Sequence, residues 1–194
     1  MSEQPNTPIA HHEALWRWGI AVHLLYLVPG ALMTVILYRL LKPINGTLAL
    51  LAFVLAICDI AMEALLLTSL YVPLAMIEEG GTLSALPVAQ RHGLGHFAVH
   101  LFLTGWSFAL LLFSGFCAVT GLLIFRSRVI PRLIGALMIA AGASYFVNSL
   151  AGIVAPTLAA VLLPWILLPS FAGEFSLGMW LLVKGIRPSP GSSF

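Results

Sequence analysis

The chain has 194 residues, of which 60% are hydrophobic and 8% are charged, and its formal net charge is +2. Soluble domains carry roughly 25% charged residues, so this composition excludes an ordinary water-soluble domain and indicates the lipid bilayer as the main partner. A small net charge without a basic tract or zinc-finger spacing also excludes a nucleic-acid-binding protein.

The first segment, residues 1–12, is polar and contains two prolines. It lacks the basic stretch followed by a short apolar core that marks a secretory signal peptide. We therefore expect no cleavage here, and we expect the first apolar helix to stay in the membrane.

Five apolar stretches follow that are long enough to cross a bilayer, which takes about 20 residues. They cover residues 18–41, 48–70, 97–125, 133–154 and 158–183. A helix closes its backbone hydrogen bonds within one segment, as lipid requires. The sequence thus predicts an all-α, polytopic membrane protein, a bundle of five transmembrane helices forming a single membrane domain over residues 1–194.

One long connection and two prolines in the fifth span predict departures from five simple helices. The long one, residues 71–92, has room for a short interfacial helix. Within the fifth span, Pro164 and Pro169 each remove a backbone donor. These prolines predict a kink, and a break into two half-helices is the alternative.

The distribution of Lys and Arg predicts the orientation. Seven of these residues fall on one side of a five-span topology: Arg39, Lys42, Arg126, Arg128, Arg132, Lys184 and Arg187. Arg17 and Arg91 fall on the other side. This bias places the N-terminus outside and the C-terminus in the cytoplasm.

Polar side chains inside the spans are costly in lipid and are therefore candidates for function. At a rise of 1.5 Å per residue, His23, Glu63 and Asn148 lie at similar heights, roughly 25–27 Å above the cytoplasmic ends of their helices. Asp59 lies one helical turn deeper than Glu63, and Glu174 lies near the middle of its helix. They predict an internal polar cavity; alternatively, they only hydrogen-bond neighbouring helices.

A second feature is the stripe of His92, His96 and His100, spaced by four so that the rings share one helix face. Histidines at i and i+4 can chelate zinc, but Gly93 follows the first one where the HExxH motif has glutamate. Three interpretations stay open. The stripe is a polar or interfacial face, a divalent metal site completed by a carboxylate or His23, or a haem b site using two of His23, His96 and His100.

The remaining patterns indicate packing rather than chemistry. Cys58 and Cys117 lie in apolar runs without metal spacing. Small residues crowd the fourth span, where they let helices approach closely: Gly135, Ala136, Ala140, Ala141, Gly142 and Ala143. The sequence has no P-loop, GxSxG or GxGxxG motif, so no catalytic residue can be named.

Several segments carry a resemblance to a known family. They are residues 37–45, 125–135, 141–145, Pro156 and 173–185. In these the chain resembles the family catalogued as domain of unknown function 4386 (DUF4386), small bacterial membrane proteins without an established activity. The resemblance implies a multi-pass protein of the bacterial inner membrane. Glu174 matches the family pattern, whereas the histidine stripe does not, and family members have a further helix before the first one here.

Three functional hypotheses follow. The leading one is a non-enzymatic binding or accessory subunit with an intramembrane polar cavity, working as a homo-oligomer or with a membrane-protein partner. The second is a metal- or haem-binding membrane protein that uses the histidine stripe. The third is a small proton-coupled transporter that uses Asp59, Glu63 and Glu174. Five helices are few for a monomeric carrier, so this third hypothesis implies an oligomer.

Overall fold

The computed structural model describes residues 12–77, 81, 83–127 and 129–184. Helices are the regular secondary structure of these ranges, as predicted, and turns connect them. The α-helices are α1 (Glu13–Leu41), α2 (Gly46–Leu67), α3 (Val72–Ile77), α4 (Val88–Arg126), α5 (Arg132–Val154), α6 (Pro156–Leu162) and α7 (Leu168–Lys184). Short 3₁₀ helices precede α3 and α7, at Thr68–Tyr71 and Trp165–Leu167. Predictions that concern residues 1–11, Arg128 and Arg187 lie outside the described residues.

Five helical segments are long and apolar enough to cross a membrane. They are Glu13–Leu41, Gly46–Ile77, Val88–Arg126, Arg132–Val154 and Trp165–Lys184. Large apolar side chains cover the outside of the bundle, as Leu182 shows with 82% of its surface exposed. Such a surface suits lipid contact and would be a liability in water. The prediction of five helices that are long and apolar enough to cross a membrane is confirmed.

Helix α4 is longer than the apolar run from which it was predicted. It begins at Val88 rather than residue 97, because helical hydrogen bonding continues through the polar residues that precede the run. Its 39 residues correspond to roughly 58 Å of helix, well beyond the ~30 Å hydrocarbon core. The short helix expected in the connection before it is present as α3.

The fifth span is broken rather than kinked. α6 ends at Leu162, a 3₁₀ turn follows Pro164, and α7 begins at Leu168. Pro169 then falls in the first turn of α7, where a missing N–H costs little. The predicted kink is therefore wrong and the alternative of a break is confirmed. The fifth helical segment that is long and apolar enough to cross a membrane begins at Trp165 instead of residue 158.

The five long helices pack in the order α1, α2, α4, α5, α7, and α4 with α5 makes the most extensive contact. α1 and α7, at the two ends of this series, make little direct contact. Two side chains form hydrogen bonds to the backbone near the ends of neighbouring helices. Trp16 Nε1 donates to the Leu70 carbonyl (2.9 Å), and an Arg91 amino group donates to the Met76 carbonyl (3.1 Å).

Glycines bring α4 and α5 into backbone contact. A Cβ placed on Gly135 would lie 2.6 Å from the Phe125 nitrogen and 2.8 Å from the Gly121 carbonyl oxygen. Gly142 approaches the Ser114 carbonyl in the same way. The predicted close approach is thus confirmed for the two glycines, and Ala141 is fully buried. Ala136, Ala140 and Ala143 are instead exposed on the outer face.

The G135A variant tests this contact. Its methyl group would collide with backbone atoms that cannot move aside, so we expect a loss of about 1–3 kcal/mol in the free energy of unfolding. The measurement is thermal unfolding of the detergent-purified protein. The matched control is G178A, since a Cβ there meets nothing within 4 Å. Equal stability of the two variants would contradict the proposed role of Gly135.

Candidate functional site

The five long helices surround a cavity of about 280 Å³. This volume is near the lower end of the ~300–1,000 Å³ typical of small-molecule sites. Every long helix contributes side chains to its wall. The polar and aromatic ones include Tyr26 on α1, Asp59 and Glu63 on α2, Trp106 on α4, Tyr145 on α5 and Glu174 on α7.

The two carboxyl groups of α2 reach the cavity because of helical spacing. The buried residues of this helix recur every three or four positions: Ala49, Ala52, Ala56, Asp59, Glu63 and Leu67. Residues at this spacing form one stripe along a helix. The first three are alanines, which allow close packing, and the carboxyl groups continue the same stripe into the interior of the bundle.

His23 on α1 is the hydrogen-bond partner of Glu63 on α2. Its Nε2 is 3.3 Å from Glu63 Oε2, and the ring donates this hydrogen bond when Nε2 carries a proton. The imidazole is fixed edge-on against Trp106, with ring centroids 5.1 Å apart. The structure therefore joins α1 to α2 through a predicted pair of residues and gives the Glu63 carboxyl a partner.

Glu174 also has a partner. The Tyr145 hydroxyl donates to its Oε1 over 2.6 Å, which joins α5 to α7. Nearby, the hydroxyl groups of Ser144 and Ser170 are 2.7 Å apart and link the same two helices. Glu174 is thus held on the cavity wall by a short hydrogen bond from a neighbouring helix.

Asp59 differs from the other two carboxylic acids. Its side chain is 5% exposed, and its Oδ1 atom is buried without a hydrogen-bond partner among the described residues. A buried polar atom without a partner costs about 1–3 kcal/mol, and more when it is charged. The cavity therefore contains one buried carboxyl group whose hydrogen-bonding capacity the surrounding helices leave unused.

Asn148 is not among the residues that line the cavity. It lies about one turn beyond Tyr145 on α5, and its Oδ1 is buried without a partner among the described residues. Of the five polar residues predicted to converge, the structure brings Asp59, Glu63 and Glu174 to the cavity and places His23 against Glu63.

The histidine stripe stands apart from this cavity. His96 and His100 are exposed and His92 is half-buried at the beginning of α4. The described part of the chain holds no group of three or more His, Cys, Asp or Glu that could bind a metal, so the metal hypothesis is not supported. Both His100 and His23, which were candidate haem ligands, already have a partner at one ring nitrogen.

Sequence reasoning missed the aromatic part of the site. Tyr26, Trp106 and Tyr145 line the cavity, but aromatic residues are common in apolar spans and do not by themselves indicate a binding site. One signal was available for Tyr145. A tyrosine in the middle of a transmembrane helix needs a partner for its hydroxyl, which points to a polar group on a neighbouring helix.

Comparison with known proteins gives one match. The model of a family described as "Domain of unknown function (DUF4386)" matches residues 3–185, nearly the whole chain. The matched range includes the first helix and the histidine stripe. No curated protein and no solved structure matches this chain.

The Y145F variant tests the Tyr145–Glu174 contact. It removes one hydroxyl and leaves Glu174 without its donor, so we expect a loss of about 1–2 kcal/mol in the free energy of unfolding. Thermal unfolding in detergent measures it. Tyr38 is the matched control, because its ring packs against Phe53 and no hydrogen bond of its hydroxyl is found among the described residues. Comparable losses in Y145F and Y38F would contradict the contact.

Proposed function

We propose a function for this chain on the basis of its cavity. The chain belongs to the DUF4386 family, and since the description of this family assigns no activity, the proposal depends on the structure. In this proposal the protein binds a small ligand inside its helix bundle. It acts as a non-enzymatic binding or accessory subunit rather than as a catalyst.

Asp59 carries the proposal. Ionisable side chains inside a membrane bundle are expensive and mark functional sites by default. Glu63 and Glu174 already have partners from neighbouring helices, so helix packing accounts for them. Helix packing does not explain why the Oδ1 atom of Asp59 is buried without a hydrogen-bond partner, and a ligand in the cavity would supply that partner.

The remaining wall of the cavity supports binding rather than catalysis. Its one threonine, Thr34, donates its hydroxyl to the Gly30 carbonyl over 2.9 Å. Most other wall residues are apolar, including Met33, Leu110 and Met138. Such a wall excludes water and recognises shape, which is typical of a small-molecule binding site.

The outer surface supports the accessory role. Its exposed apolar side chains, such as Val161 and Leu182, suit contact with lipid, with a second copy of the chain or with a membrane-protein partner. The proposed location is the bacterial inner membrane, crossed five times.

The G30L variant tests the cavity as a binding site. Gly30 lies on the cavity wall, where a Cβ would be in ordinary contact, 3.9 Å from Ile60 Cδ1, so a leucine side chain fills the space. Native mass spectrometry of protein extracted in mild detergent should find a bound small molecule in the wild type and none in G30L. The control is G178L on α7, where the added side chain meets open space. Equal occupancy in G30L and wild type would place the ligand elsewhere.

The proposed orientation has the N-terminus outside. The basic residues at the described helix ends support it: Arg39 and Lys42 close α1, and Arg126 and Lys184 close α4 and α7. At the opposite end of α1, Arg17 is paired with Glu13 at 2.8 Å. A reporter inserted after Asn45 or fused after Phe194 should therefore report the cytoplasm. A periplasmic signal from either position would overturn this topology.

A further inference from the structure

We propose that the ligand is a small organic ammonium ion, with one positive charge, at least one N–H donor and an apolar body, and that Asp59 binds its nitrogen. This inference rests on the proposed binding function and names the chemical class of the ligand.

The charge of the ligand follows from the three carboxyl groups on the cavity wall. His23 lies 3.3 Å from Glu63 and the Tyr145 hydroxyl donates to Glu174 over 2.6 Å, so two carboxyl groups are engaged by the protein. Asp59 alone remains. An isolated carboxylate in an apolar interior is strongly disfavoured and takes up a proton when it has no partner. In this proposal a single positive charge on the ligand is the partner that keeps Asp59 ionised.

The N–H donor follows from the burial of Asp59. Its side chain is 5% exposed and its Oδ1 is enclosed, so bulk water does not satisfy it. An ammonium group supplies the opposite charge and a hydrogen bond at once, and such charge-assisted hydrogen bonds are roughly twice as strong as neutral ones. A neutral ligand would supply at most the hydrogen bond.

The organic character of the ligand follows from the rest of the wall. Five aromatic rings surround the cavity: Tyr26, Trp106, Phe113, Phe116 and Tyr145. Aromatic faces attract cations and pack against apolar groups. A hard inorganic cation such as Ca²⁺ would instead need six to eight oxygen ligands gathered around one point, as a rule, and among the described residues no three His, Cys, Asp or Glu side chains are grouped closely enough to hold a metal ion.

Access from the lipid suits the same ligand. α1 and α7 make little direct contact, so the bundle is least closed between them. Tyr26 on α1 lines the cavity and is 61% exposed, so the cavity wall is not sealed at this residue. An amine with an apolar body partitions into a bilayer and can reach Asp59 by this path.

A series of phenyl-bearing probes of similar size and different charge tests the inference. 2-Phenylethylammonium carries the charge and the N–H donors, 2-phenylethanol is neutral, 3-phenylpropanoate is negative, and phenyltrimethylammonium is a cation without N–H. Equilibrium binding to the full-length protein in detergent is measured for each, with wild type, D59N and the control E13Q. Glu13 is at the outer end of α1, away from the cavity.

We expect 2-phenylethylammonium to bind the wild type at least about tenfold more tightly than the other three probes, which corresponds to about 1.4 kcal/mol. D59N should remove this preference while it keeps the binding of 2-phenylethanol, and this retained binding also shows that D59N is folded. E13Q should behave as the wild type. For a D59N that fails to fold, D59E serves instead: it keeps the charge and should keep the preference.

Two results would overturn the inference. If 2-phenylethanol or 3-phenylpropanoate binds as tightly as the ammonium and G30L abolishes this binding, the cavity is a ligand site but not one for ammonium ions. If none of the four probes binds, the ammonium class is wrong. The proposed binding function is tested separately, by whether native mass spectrometry finds a bound small molecule in the wild type and none in G30L.

Discussion

Within lipid, every polar group on a helix must find its partner inside the protein, because the hydrocarbon offers none. Most polar side chains of this bundle obey this constraint locally. Ser114 and Ser176 donate to carbonyls of their own helices, three residues back. Glu63 and Glu174 obey it across helices, through His23 and Tyr145. Five buried side chains in the described part of the chain have a nitrogen or oxygen atom without a partner, and Asp59 is the one of these that lines the cavity. This is why the cavity, rather than a surface feature, defines the site.

The position of the cavity depends on the glycine contact between α4 and α5. At Gly121 and Gly135 the two backbones touch, which leaves no room for side chains between them. Gly173 makes a similar approach to the Leu137 carbonyl and draws α7 against α5. These close contacts fix α4, α5 and α7 as one wall. α2 packs against α4 and brings Asp59 and Glu63 to the cavity, where Trp106 and Phe113 of α4 also line the wall.

Composition and the length of the apolar stretches were enough to predict five helices long and apolar enough to cross a membrane, because a chain in lipid must close its backbone hydrogen bonds within each segment. The height of each polar residue along its helix placed His23 and Glu63 at a similar level, and the structure brings the two side chains within 3.3 Å of each other. It failed for Asn148, because height says nothing about which way a side chain points around the helix. Contacts between helices, such as Tyr145 with Glu174, depend on helix rotation and neighbour order. Neither can be read from one sequence without its packing partners.

A buried core also bears on the choice between binding and transport. Toward the basic ends of the helices, the cavity gives way to tightly packed apolar residues. Leu41, Leu123 and Ile124 are there, each 2% exposed or less. A carrier would have to open this core to release its substrate on that side, at the cost of exposing well-packed side chains. A protein that only binds its ligand leaves the core intact. Three carboxyl groups above a closed apolar core, beside a loosely closed α1–α7 side, therefore favour a binding protein that exchanges its ligand with the membrane.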